Sequence, residues 1–138
     1  MGPISLLVSL DQAYLPQLQV LLPSLYLNNP GERFDLYLLH SEIPAHALAP
    51  VTQQCLRLQY HLYPILMEEQ LFADAPTTKQ YPREMYYRLL AGTVLPRQLN
   101  RILYLDPDIL VINPLRPLWE LDLGTHLFAA AAHTGKTE

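Results

Sequence analysis

The sequence predicts an α/β fold, a mostly parallel sheet with helices packed on both faces. Three observations carry that prediction. Short apolar runs suited to strands recur along the chain: ISLLVS at 4–9, RFDLYLLH at 33–40, LRLQYHLYPI at 56–65 and RILYL at 101–105. Segments with helical spacing or helix-start chemistry separate them, and strands alternating with helices imply parallel pairing. Half of the 138 residues are hydrophobic, which suffices for one core. A single domain over 1–138 is therefore expected.

Each element has its own justification. ISLLVS is short, apolar and ends one residue before Leu10-Asp11, as a buried strand does. From Tyr14 onward, Leu15, Leu18, Leu22, Leu25 and Tyr26 fall at helical spacing. Pro16 suits a first helical turn, whereas Pro23 predicts a kink or an early end. NNPGE at 28–32 is turn chemistry. Phe34, Leu36 and Leu38 alternate in a second strand, and a short helix starts near Pro44 and is interrupted at Pro50. Leu56, Leu58, Tyr60 and Leu62 alternate in a third strand. Residues 66–81 read as an irregular cleft loop. Over 81–96, the residues Tyr86, Leu89, Leu90, Thr93 and Val94 line one face of a helix, with Glu84 and Arg88 opposite. RILYL gives a fourth strand, ILVI at 109–112 a fifth and HLFAAAAH a sixth, with a turn or one-turn helix in PLRPLWELDL.

Thirteen acidic against nine basic residues give a net charge of −4, which argues against a nucleic-acid partner. A nucleotide stays open, because a metal can neutralise its phosphates. The single cysteine, Cys55, forms no internal disulfide and reads as a small buried apolar residue. No basic residue precedes the first apolar run, so no leader is expected there. Residues 12–31 carry no charge but hold three Gln, two Asn and three Pro, a poor membrane span. A cytoplasmic chain without a membrane span is expected.

Residues 102–115, ILYLDPDILVINPL, carry the chemistry. Asp106 and Asp108 stand between two apolar runs. Residues i and i+2 of extended chain point to one side, and Pro107 discourages helix at Asp106. Carboxylates that converge repel unless a cation lies between them. Oxygen ligands select hard cations such as Mn2+ or Mg2+, and the places they leave open suit water and diphosphate oxygens. Asp11 also follows a strand's carboxyl end, where ligands of such sheets bind. Read alone, Asp-Pro-Asp also fits a plain surface turn.

The stretch YYRLLAGTVLPRQLNRILYLDPDILVINPLRPLWELDL resembles glycosyltransferase family 8, and ISLLVSLDQAYLPQLQVLLPSLYLNNPGERFDLYLLHSEIP resembles that family's opening strand, nucleotide loop, helix and second strand. The resemblance implies the nucleotide-binding half of the Rossmann-like GT-A fold, and a retaining, metal-dependent hexose transfer. It implies UDP-glucose or UDP-galactose as donor and a saccharide or glycoconjugate as acceptor. By the same resemblance, Asp106 and Asp108 are the DxD ligands of Mn2+ (or Mg2+), with Asp106 also near the ribose. Ser9, Leu10 and Asp11 meet the uridine, and Asp11 reads the uracil edge. Tyr14 packs on the base, and Arg88 faces the nucleotide-sugar. Ala13 stands where the family often has Asn, which puts one nucleotide contact in doubt.

Plainer roles stand beside these. Asp11 can cap the next helix, Tyr14 can be an ordinary ring, and Arg88 can pair with Glu84 one turn back. Arg83 reads as surface, Trp119 as core among Leu115, Leu118 and Leu121, and His133 as a remote candidate near the sugar. The family's enzymes are about twice as long, with a later His-x-x-Gly-x-x-Lys metal element and the residues around the reacting carbon. This chain is accordingly expected to be an incomplete, inactive part, with catalytic residues beyond 138 and a core edge prone to self-association. A non-catalytic nucleotide-binding or assembly module is the alternative. A haloacid dehalogenase-type phosphatase is a weaker one, since Ile109-Leu110 stand where it wants Gly-Thr.

Overall fold

The structure, a computed structural model, describes residues 2–67 and 95–132. The predicted helix over 81–96, nearly all of the loop over 66–81, and Arg83, Arg88 and His133 lie outside them. In chain order the elements are β1 (Ile4–Ser9), a 3-10 turn (Gln12–Tyr14), α1 (Leu15–Asn28), β2 (Phe34–His40), α2 (Ala45–Leu58), β3 (His61–Leu66), β4 (Leu103–Tyr104) and the one-turn α3 (Arg116–Trp119).

The strands form one parallel sheet in the order β3-β2-β1-β4. The steps from β1 to β2 and from β2 to β3 run the same way, so right-handed crossovers put α1 and α2 on one face. There Ile4, Leu6 and Val8 of β1 and Phe34, Leu36 and Leu38 of β2 meet Leu18, Leu22 and Leu25 of α1 and Val51 and Cys55 of α2, all buried. The sheet's other face carries a second, smaller cluster. Leu7, Tyr37, Leu39 and Met67 pack there against Leu95, Leu99 and Ile102. The two clusters hold alternate residues of β1, as the period-2 pattern requires.

The structure corrects several sequence expectations. Pro23 neither ends nor divides α1, which runs on to Asn28. A proline leaves the carbonyl four residues back without its helical donor. That carbonyl belongs to Gln19, and Gln54 Nε2 of α2 donates to it at 2.8 Å. Pro50 likewise lies inside α2. It would leave the carbonyl of His46, and both residues are exposed, so water reaches that group. The third strand begins later than predicted, because α2 takes residues 56–58. It ends on Gln59, in the left-handed region at φ 63° and ψ 33°, whose N–H caps the carbonyls of Cys55 and Leu56. Leu48, Val51 and Cys55, at i, i+3 and i+7, were the helical signal beneath the misleading alternation.

The fifth strand does not form. Val111 makes its backbone bonds with side chains of α1: its N–H donates to Ser24 Oγ at 2.9 Å, and its carbonyl accepts from Asn28 Nδ2 at 2.8 Å. The sixth strand is absent over 126–132, where Leu127 and Phe128 are 95% and 80% exposed. The α3 turn is held from two sides. Arg116 pairs with both carboxylate oxygens of Glu32, with Nε to Oε1 at 2.9 Å, and Arg101 donates to the carbonyls of Trp119 and Leu121. Trp119 is half-buried against the main core, while Leu118 and Leu121, expected to surround it, are exposed.

β3 is one of the two outer strands among the described residues. Met67 N–H donates to the carbonyl of His40 in β2, so the even-numbered residues of β3 turn their backbone groups outward. Pro64 stands at such a position and removes one donor from the free edge. That opposes strand-to-strand association along β3.

Candidate functional site

β1 and β4 are neighbours, and the chain leaves β1 toward β2 on one side and enters β4 on the other. This is the topological switch point, where a crevice opens beyond the carboxyl ends of the strands. Asp11 leaves β1 there and Asp106 leaves β4. Leu7 faces Tyr104 in the ladder, and Leu105 N–H donates to Leu7 O at 3.0 Å. The same register carried two residues onward sets Asp106 opposite Ser9.

Ser9 and Leu10 are buried, and the Leu10 side chain belongs to the main core. Leu10 therefore offers the crevice its backbone alone, with its N–H already bonded to Leu39 O at 3.2 Å. Asp11 is half-buried at the head of the 3-10 turn with extended backbone. Its carboxylate accepts no capping bond from an N–H of that turn. Among the described residues, Asp11 Oδ1 is buried without a hydrogen-bond partner. A buried acceptor left unpaired costs about 1–3 kcal/mol, so this atom fits an N–H or O–H donor from a ligand. Tyr14 closes the turn with its ring 41% exposed, available for stacking.

Asp106, Pro107 and Asp108 form a corner rather than extended chain, with Pro107 and Asp108 in a turn. Pro107 is buried and both aspartates are exposed; a turn replaces the extended chain on which their shared direction rests. They are hard, anionic oxygen donors, the kind a Mn2+ or Mg2+ ion takes. Among the described residues no group of three His, Cys, Asp or Glu converges as a metal site. The donor set thus fits an ion that draws its other ligands from water, phosphate or further residues. Arg88 lies outside the described residues.

Sequence reasoning missed Ser24, Asn28 and Asn29, whose polar side chains on a leucine-rich helix were the available signal. A cavity of about 430 Å³ bordered by Leu99, Arg101, Ile102, Trp119 and Phe128 includes none of the three aspartates. Burial pushes the Cys55 thiol up to about 11, which suits its apolar role and no nucleophilic one.

A parallel sheet with acidic turns at its switch point defines an open-sheet α/β protein with a crevice beyond its strand ends. The family pattern described as glycosyl transferase family 8 matches residues 5–137, and the chain belongs to that family. It is 28% identical to glycosyltransferase GlyF of Streptococcus pneumoniae over 119 residues, 86% of this chain and 29% of that protein. It is 30% identical to the lipopolysaccharide 1,2-glucosyltransferase of Escherichia coli K12 over 116 residues, 82% of this chain and 33% of that protein. The galactosyltransferase LgtC, solved with donor and acceptor sugar analogues, superposes with a TM-score of 0.78 at 26% identity, covering 88% of this chain and 44% of LgtC. The chain thus spans less than half the length of these relatives, and it shares the GT-A fold of LgtC. Family membership sets aside the phosphatase alternative. Among the described residues, no helix is long and apolar enough to cross a membrane.

Proposed function

We propose that this chain binds the nucleotide-sugar for a metal-dependent glycosyltransferase that moves a hexose from a cytoplasmic UDP-sugar, UDP-glucose or UDP-galactose, to a saccharide or glycoconjugate acceptor with retention of anomeric configuration. The observation that carries the reading is the pairing of acidic turns at the β1/β4 switch point, with Asp11 Oδ1 buried and without a hydrogen-bond partner among the described residues.

Asp11 accepts the N3–H of uracil, and the Tyr14 ring covers the base. The backbone of Ser9 and Leu10 borders the ribose. Asp106 and Asp108 hold Mn2+ or Mg2+ against the diphosphate. When bound, that ion offsets the negative charge that grows on the departing UDP. The family resemblance and the sugar analogues bound to LgtC support a sugar donor and acceptor.

Competition calorimetry with UDP and ADP, in the presence of Mn2+, tests the proposal. UDP is expected to bind more tightly than ADP. Asp11→Ala should lose about 1–3 kcal/mol of UDP affinity, the cost of one buried hydrogen bond, with little change for ADP. Equal competition by the two nucleotides would refute the role of Asp11.

A further inference from the structure

Residues 106–110 form a short span between two anchors. Upstream, Leu105 N–H donates to Leu7 O at 3.0 Å. Downstream, Val111 is held through both backbone groups by Ser24 and Asn28. Four residues on, Leu115 N–H donates to Asn29 Oδ1 at 2.6 Å. The three holding side chains are themselves tied down. Ser24 Oγ donates to Leu21 O at 2.6 Å, Asn28 Nδ2 reaches Ser24 O at 3.0 Å, and Asn29 Nδ2 donates to Leu25 O at 3.0 Å.

Two of these polar groups, Asn28 Nδ2 and Ser24 Oγ, each make two bonds. One amide nitrogen carries two N–H groups and serves two carbonyls, and one hydroxyl donates while accepting. Asn29 is buried, only 3% exposed. Ile109, Leu110 and Ile112 stay exposed, so the set does not serve to seat an apolar segment on the helix. What the set adds is direction, because each bond reaches a fixed backbone atom just beyond the carboxylate turn. Only residues 106–110 lie between the two anchors, with Pro107 buried in their turn.

We propose that Ser24, Asn28 and Asn29 are positioning residues for the Asp106–Asp108 turn. By fixing the backbone at Val111 and Leu115, they set where the two carboxylates stand relative to Asp11 across the switch point. The inference rests on the reading of Asp106 and Asp108 as divalent-cation ligands. Ser24 and Asn28 act through the backbone of Val111, and Asn29 through that of Leu115, not by contact with an ion or nucleotide.

The test is UDP affinity, measured by calorimetry with and without Mn2+ on the full chain, together with the melting temperature of each variant. The ratio of the two affinities is the Mn2+ enhancement. Ser24→Ala and Asn28→Ala should each lower the enhancement by about 10-fold, as loss of groups that orient metal ligands does, while Mn2+-free UDP affinity holds. Ser24→Thr keeps the hydroxyl in a rotamer that helices allow and should restore it. A wild-type enhancement in folded Ser24→Ala and Asn28→Ala, with only the melting temperature lowered, would overturn the proposal. Asp108→Ala separates this failure from the other: an unchanged enhancement there would overturn the ligand reading itself, and the positioning role with it. If Asn28→Ala does not fold, Ser24→Ala against Ser24→Thr decides.

Discussion

From Ile4 to Leu66 the backbone pairs with backbone, in three strands joined by parallel ladders and two helices of 14 residues each. From Asp106 to Ala132 the described chain has one helical turn, and its backbone is held largely by side chains: Ser24, Asn28 and Asn29 on one flank, Arg101 on the other. The first region buries a leucine stripe and needs no special chemistry. The second leaves Leu110 and Ile112 at 60% and 73% exposed and spends polar side chains on fixing a turn. The difference shows why apolar content alone does not make a strand. ILVI has the composition of one, but the backbone groups of its Val111 are met by α1.

The sharpest way to break that comparison is one substitution made in both regions. Leu22, 1% exposed in α1, should cost about 2–5 kcal/mol as Leu22→Ala. Leu110→Ala, at an exposed site, should fall within about 0.5 kcal/mol of wild type. Urea denaturation of the two variants measures both. A large cost at Leu110 would mean that the second region has a core of its own.

This contrast also marks what the sequence made legible. β1 and β2 could be read because a buried parallel strand leaves a short apolar run with nothing else to explain it. The turns bearing Asp11, Asp106 and Asp108 could be read because carboxylates at strand ends stand out against leucine. The helix ends could not, since Pro23 and Pro50 looked like breaks. Whether a proline breaks a helix depends on who meets the freed carbonyl, and Gln54 comes from another element 35 residues from Gln19. The anchoring of Val111 by Ser24 spans 87 residues, beyond any local pattern. In both cases a long-range polar contact overrode a correct local rule.

That override sets a second, smaller test. Gln54→Ala removes the donor that Pro23 makes necessary and should cost about 1 kcal/mol. In a Pro23→Ala background, residue 23 regains an N–H for the Gln19 carbonyl, and the same Gln54→Ala change should cost distinctly less. A double-mutant cycle by chemical denaturation reads the coupling. Additive costs would show that Gln54 supports α2 packing and not the freed carbonyl.

The smallest expected effect lies at the carboxyl end of β2, where the well-ordered region borders the crevice. His40 is buried, and its Nδ1 accepts the N–H of Ile43 at 3.1 Å. Burial lowers its pKa below the ordinary 6.5, since a charged ring loses its water. Protonation at Nδ1 would also turn the acceptor into a donor facing an N–H. The folded state therefore holds fewer protons than the unfolded one between the lowered value and about 6.5. Stability from this group is fully present above about 6.5 and is lost as pH falls toward the folded value. Glu32, whose carboxyl Arg116 holds below 4.5, loses its contribution at more acid pH, so the two windows separate. Asn at position 40 can offer Oδ1 to the Ile43 N–H but does not titrate. Denaturation midpoints at pH 7.5 and 5.5 should fall further in wild type than in His40→Asn. Equal pH dependence in the two proteins would remove His40 as the titrating group and leave the β2–α2 turn indifferent to acid.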